Sequence, residues 1–393
     1  MNKVKAIRVE ALDIFRAITM FLMLFVNDIP GLKNIPHWLE HAAADEDMLG
    51  FSDTIFPAFL FAMGMAIPYA IDNRLKKGDT MTEIGGHILW RTLALLIMGL
   101  FTVNISYLDP IETGMTSSCF ILLMVLAFFL IWSVYPKTND WKDNLFIAMK
   151  IVGVIILAYL FVTYEGKNGE GFTPKWWGIL GLIGWTYVLS AVIYLVTREN
   201  LLYNAIALIV LIALSLLSAA GIFQGWPIIS QIPSQATLYA FGMAGVCAGV
   251  FMRKYANKEK PKYFFIVMAT VGVVSLIIAI ISHQFWIISK IQATPTWFFY
   301  CCAIFFPLFA FVFWLTDIKG KSNWFDIIKP AGTVTLTCYI IPYAWYSLQM
   351  MMGLNYPDWM MTGVVGIIKS LIFSLAIIGI AWLLMKAKIR LKI

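Results

Sequence analysis

The chain has 393 residues, of which 61% are hydrophobic and only 13% charged, and its mean hydropathy is +0.80. Soluble domains carry roughly 45–50% apolar residues, so this composition excludes a water-soluble globular protein and predicts a polytopic membrane protein. The net charge of +7 is no argument for a nucleic-acid partner, because the basic residues sit in short clusters between apolar runs rather than along one face.

Crossing a bilayer takes about 20 apolar residues. Twelve stretches qualify: 10–29, 52–72, 84–107, 114–135, 144–164, 176–197, 200–222, 236–252, 263–282, 297–316, 331–350 and 361–385. They predict an all-α, polytopic transmembrane helix bundle of about 12 spans, with 10–12 as the range. The first stretch contains Asp13 and Arg16 and no small-residue cleavage pattern follows it, so it is read as a retained helix and not as a signal peptide. The Thr-Arg-Glu-Asn turn at 197–200 is short, which makes the sixth and seventh spans the easiest pair to miscount.

With Lys3, Lys5 and Arg8 on the cytoplasmic side, the loops of that side hold 21 Lys and Arg. The opposite side holds only Lys33, Lys167, Lys175 and Lys290. The positive-inside rule then predicts that both termini are cytoplasmic and that the loop carrying His37 and His41 is outside. No soluble domain, low-complexity tract or obvious repeat interrupts the apolar pattern. A single transmembrane domain over 1–393 is expected, in a lipid bilayer and most simply a bacterial inner membrane.

Ionisable groups at membrane depth are costly and usually functional, which draws attention to 27–64. This stretch crowds two of the four histidines and the acidic residues Asp28, Glu40, Asp45, Glu46, Asp47 and Asp53 between two apolar segments. His41 is the strongest catalytic candidate, since an imidazole titrates near neutral pH and can take a proton from an attacking amine or hydroxyl. His37 is a lesser candidate, and His87 and His283 read as interfacial. Asn27, at the end of the first span, offers a donor and an acceptor to a carbonyl or sugar hydroxyl, or simply caps the helix. Asp53 opens the second span, where it either complements the helix dipole or contacts substrate. The Asp45–Asp47 patch is either solvated charge or a means of concentrating a cationic substrate.

Four basic residues fall within predicted spans: Arg16, Arg91, Lys150 and Lys369. Each should face a partner or a cavity. Asp13 and Arg16 are three apart on one helix face, so they form an intrahelical ion pair or Arg16 also meets an anionic ligand. Arg91 stands where snorkelling to the interface is an equal alternative. The cysteines Cys119, Cys247, Cys301, Cys302 and Cys338 lie in or beside apolar runs without a CxxC pair, so neither a disulfide framework nor a metal site is expected.

The runs LDIFRAITMFLMLFVN, then HA, then SDTIFPAFLFAMGMAI, then ILWRTLALLIMGLFTVN resemble the membrane core of the heparan-alpha-glucosaminide N-acetyltransferase family and its bacterial relatives. LYAFGMAGVCAGVFM, WLTDIKG and KPAGTVTLTCYIIPY follow in the family's order. The resemblance implies a transmembrane acyltransferase that passes acetyl from cytoplasmic acetyl-CoA to the amine of a glucosamine on the far side. It places the active-site histidine at His41, in the His-Ala pair, and the important asparagine at Asn27. Asp53 matches the aspartate of the Asp-x-x-Phe-Pro motif, and Arg91 matches the Trp-Arg pair.

Four departures qualify the match. The family's Gly-Val-Leu-Gln-Arg motif is replaced by GMTSSCFILLM at 114–124, and the Asn-to-His spacing is lengthened by an insertion with Pro30 and Pro36. Two spans near 176–222 are additional to the family's core. The lumenal domain of the animal enzymes has no counterpart, which implies a different aminoglycan or a smaller amino sugar as acceptor.

The expected site therefore has His41 and Asn27 as catalytic residues, with Asp53, Asp45 and Asp47 toward the sugar. Arg16, Arg91 and Asp13 stand toward acetyl-CoA. Amino-sugar or glycan, acetyl-CoA and bilayer are the expected partners, nucleic acid is not, and a homodimer is left open. O-acetylation of a cell-envelope polysaccharide and 12-span transport are the rival readings, although transporters often show repeated halves and none is visible here.

Overall fold

A computed structural model describes residues 9–136, 140–223, 235–256 and 261–393. The basic residues Lys3, Lys5, Arg8, Lys137, Lys258 and Lys260, used above for orientation, lie outside them. Among the described residues the fold is all-α, with thirteen α-helices and only isolated β-bridges. In chain order these are α1 (Glu10–Asp28), α2 (Phe51–Lys76), α3 (Met81–Asn104), α4 (Ser117–Trp132), α5 (Trp141–Thr163), α6 (Gly178–Thr197) and α7 (Leu201–Ala219). They continue with α8 (Ala236–Tyr255), α9 (Pro261–Ser282), α10 (Pro295–Phe313), α11 (Lys329–Thr333), α12 (Thr335–Met351) and α13 (Gly363–Lys386).

Each of the twelve expected segments has a helix in its place, and α11 is a short addition before the eleventh. Among the described residues, nine helices are long and apolar enough to cross a membrane. The three that fall short do so for visible reasons. α1 carries Glu10, Asp13, Arg16 and Asp28 within 19 residues, while α4 and α12 have only 16 and 17 residues. The doubtful turn at 197–200 is a true helix break: Arg198 has a φ of 53°, and Asn200 caps α7 by accepting from the Leu202 and Tyr203 N–H groups at 3.1 and 3.3 Å.

The chain divides into two compact units. The first comprises residues up to Val26, Ile35–Leu89 and Trp185–Asp326. Its centre is the contact of α2 with α8, where backbones meet through small residues as packing without a hydrophobic drive requires. A Cβ on Gly64 would stand 2.0 Å from the Gly242 carbonyl oxygen, and one on Gly245 would stand 2.1 Å from that of Phe61. Aromatic rings fill the space beside this seam, with Phe61 against Phe306 at 5.1 Å and Phe15 of α1 against Phe309 of α10 at 5.5 Å.

Toward the other ends of these helices, Asp72 accepts from Arg253 and from the Tyr194 hydroxyl, and Arg253 also donates to Glu199. The π-turn Trp314–Ile318 after α10 presents Asp317, which accepts the Ala11 N–H at the start of α1. A cavity of about 660 Å³ lies here, lined in part by Tyr69, Asp72, Lys76, Arg253, Lys254 and Asp317.

The second unit comprises Asn27–Asn34, Trp90–Gly184 and Ile327–Ile393. Close approach recurs where a Cβ on Gly99 would stand 2.3 Å from the Gly181 nitrogen. Lys369 of α13, a membrane-depth cation in the sequence, donates to Asp28 Oδ2 at 2.8 Å, and the Tyr346 hydroxyl of α12 donates to Asp28 Oδ1 at 2.6 Å. The pair is nearly sealed from solvent, with side chains 9% and 6% exposed. Lys150, by contrast, is exposed and lies over the Tyr135 ring at 5.7 Å.

Candidate active site

Asp53 is the third residue of α2. A carboxylate in a first turn complements the helix dipole, yet this one turns back onto the loop before the helix. Its Oδ2 accepts the Ala42 N–H at 3.0 Å and its Oδ1 lies 2.7 Å from His41 Nδ1. Gly50 permits that return, because a Cβ there would meet the Glu40 carbonyl oxygen at 2.2 Å and Asp53 Oδ2 at 2.9 Å. The loop is pinned further by Ser52 Oγ, which donates to the Leu39 carbonyl at 2.7 Å. From the first turn of α10, the fully buried Trp297 donates through Nε1 to the Asp53 carbonyl at 3.1 Å.

The two members of the pair differ sharply in access: the Asp53 side chain is 2% exposed and that of His41 38%. A buried carboxylate against Nδ1 holds the ring as its Nδ1–H tautomer and in one orientation. Nε2 is then the nitrogen that keeps its lone pair. This is the geometry of a general base or an acyl-accepting nucleophile. The His-Ala pair has a structural sense as well, since both of its residues are read by one carboxylate.

A third ionisable group completes the cluster. Lys290, in the segment between α9 and α10, places Nζ 3.2 Å from His41 Nδ1 and 3.6 Å from Asp53 Oδ1. Burial lowers its pKa from the ordinary lysine value, against the pull of Asp53. Sequence reasoning counted Lys290 only as a topology charge. Its one legible signal was its rarity, as one of four basic residues on the side opposite the clusters.

Around this centre the acidic loop is strapped down. Asp47 accepts from the Ile288 N–H and from His283 Nε2, each at 2.8 Å. The Ile288 bond first, then the imidazole, holds the Asp47 carboxyl below its usual range. Gln292 and Ser289 both donate to the Ala44 carbonyl. His37 lies between Glu46 and Glu40, which raise its pKa, with the Glu46 bond dominant. Glu46 is lowered by His37 and then by the Ala43 N–H.

The expected site residues are thus distributed unevenly. His41 and Asp53 are in direct contact, and Asp47 belongs to the same loop assembly, where its carboxylate is engaged by His283 and Ile288. His283, expected at the interface, is therefore part of the strap. Asp45 is exposed on the loop, and Asp13 and Arg16 are half-buried on α1 of the same unit. Asn27 and Arg91 belong to the second unit, Asn27 exposed beside the Asp28–Lys369 pair and Arg91 half-buried in α3.

Residues 8–268 match a family described as "Domain of unknown function (DUF5009)". The chain belongs to that family. Over 107 residues it is also 34% identical to heparan-alpha-glucosaminide N-acetyltransferase of Homo sapiens, a match covering 27% of this chain and 15% of the relative. Over 153 residues it is 28% identical to the protein of the same name from Mus musculus, covering 35% and 22%. The chain spans less than a quarter of the length of these curated relatives. They bear out the resemblance carried by the motifs.

Proposed function

We propose that this protein is a membrane-embedded N-acetyltransferase that takes acetyl from cytoplasmic acetyl-CoA and delivers it to the amine of a glucosamine-type sugar on the opposite face. In this reading the whole chain is one transmembrane acyltransferase domain of twelve spans in a bacterial inner membrane. Both termini are cytoplasmic and the loop with His41 faces outward. The observation that carries it is the contact of a buried Asp53 with an accessible His41, in a chain similar to transferases named for this reaction.

In direct transfer, His41 Nε2 takes the proton of the sugar ammonium and Asp53 stabilises the imidazolium that forms. The freed amine attacks the thioester carbonyl. The C–S bond then breaks as the proton held by His41 passes to the departing thiolate, and the nitrogen gives up its second proton to water, leaving the neutral amide and the free thiol. In a relay, Nε2 would itself attack the thioester carbonyl and release the thiolate; the sugar amine would then displace the imidazole from the acetyl carbon and lose a proton to water. Arg16 supplies a cation for the donor's phosphates, with Asp13 keeping it in place. Asp45 attracts the sugar ammonium and Asp47 holds the loop that carries it.

The test is acetyl transfer by purified variants in detergent or liposomes. H41A should abolish transfer by either route, and D53N should lower kcat by about 10²–10⁴-fold through loss of tautomer and orientation. Activity retained by H41A contradicts the reading, and trapped acetyl-enzyme would select the relay.

A further inference from the structure

The segment that carries Lys290 is built to hold it still. Besides the bonds of Asp47 and Ala44 to this segment, Thr294 Oγ1 accepts the Ser289 N–H and also the Trp297 N–H at the start of α10. The ammonium, on a side chain 23% exposed, is thereby fixed beside both partners of the His41–Asp53 pair.

A ring nitrogen has one in-plane position for a proton. Nδ1 therefore either points its own proton at Asp53 or accepts one from Lys290. The Asp53 contact is the shorter, 2.7 against 3.2 Å, and it pairs the donor with a carboxylate. Lys290 then stands beside the ring as a cation and not as its hydrogen-bond donor. Two opposed fields act on the imidazole: Asp53 favours the imidazolium, and Lys290 disfavours it both directly and by engaging Asp53. The other ionisable groups facing the cluster are Glu46 of the loop, whose charge is felt by Asp53, and the buried Cys301 thiol of α10 beside Lys290.

We propose that Lys290 is a positioning residue whose ammonium offsets the pull of Asp53, so that His41 stays neutral, protonated on Nδ1, with Nε2 free to take a proton. The electrostatic role stands on the cluster alone; its use in catalysis rests on the reading of His41 as base or acyl carrier.

The experiment is nitrogen-15 NMR of histidine-labelled full-length protein in detergent, with the His41 signal assigned through H41Q. In the wild type near neutral pH, His41 should be the neutral Nδ1–H form. K290Q should raise its titration midpoint by about one pH unit or more, and K290R should keep it near the wild-type value. The acid limb of acetyl transfer should move up with the midpoint, lowering the rate about tenfold per unit on that limb. An imidazolium in the neutral-pH wild type overturns the proposal, as does a K290Q midpoint that is unchanged or lowered, or a K290R midpoint that moves as K290Q does. Where K290Q does not fold, K290M takes its place in the same titration, and an imidazolium in the wild type still overturns the proposal. Because the titration needs no substrate, a raised midpoint in a protein that transfers no acetyl would uphold Lys290 and overturn the acyl-transfer reading instead.

Discussion

In the proposed site His41, Asp53 and Lys290 divide one task among a base, a buried anion and a cation, and the loop that presents His41 is itself held by charge. The His37–Glu46 contact gives that loop a defined pH window. His37 is raised, so its contribution is fully present below the ordinary imidazole value and is lost as pH rises through the raised one. Glu46 is lowered, so its contribution is present above the ordinary carboxylate value and is lost as pH falls through the lowered one. Hydrogen exchange at the Ala43 amide, which donates to Glu46, should show a plateau of protection between these limits and a fall on either side. A fall on one side only would contradict the pairing. His41, Asn27 and Asp53 were visible in the sequence because histidine, asparagine and aspartate stand out among apolar residues. The contact between His41 and Asp53 was not visible, because it depends on how Gly50 lets a loop fold back over the first turn of α2. Lys290 is 249 residues from His41 in the chain, and no spacing rule joins them.

At the scale of helices, twelve apolar stretches were readable because the demand for about 20 apolar residues leaves a strong pattern. Their contacts were not, since a lipid-facing stripe and a protein-facing stripe are both apolar. The glycines mark the difference. Gly64, Gly242 and Gly245 bring α2 and α8 into backbone contact, and the added methyl of G64A would press on a carbonyl that cannot swing aside. G64A should destabilise the protein by about 1–3 kcal/mol, read as a lowered midpoint of thermal unfolding in detergent. An unchanged midpoint would contradict the seam. Gly379, with open space around its Cβ position, provides the control in G379A. The Asp28–Lys369 pair shows the same gap between residue and contact: the cost of Lys369 at membrane depth required a partner, and only the fold names it.

For the molecule as a whole, the proposal requires a direction across the membrane, from a donor on one face to an acceptor on the other. With the native cysteines replaced by serine, D45C should react with a membrane-impermeant maleimide in intact cells, and K388C should react only after permeabilisation. The reverse pattern would place His41 on the cytoplasmic side and remove the need for transfer across the bilayer. Transfer of acetyl to an amine can be read in one assay. Purified protein in liposomes, supplied with radiolabelled acetyl-CoA, is offered glucosamine, glucosamine oligomers and sugars with hydroxyls but no amine, side by side. Acetyl should be incorporated into the amino sugars alone, as base-stable amides; incorporation into the hydroxyl sugars as esters, or amino-sugar movement that needs no acetyl-CoA and leaves the sugar unmodified, would contradict N-acetyl transfer.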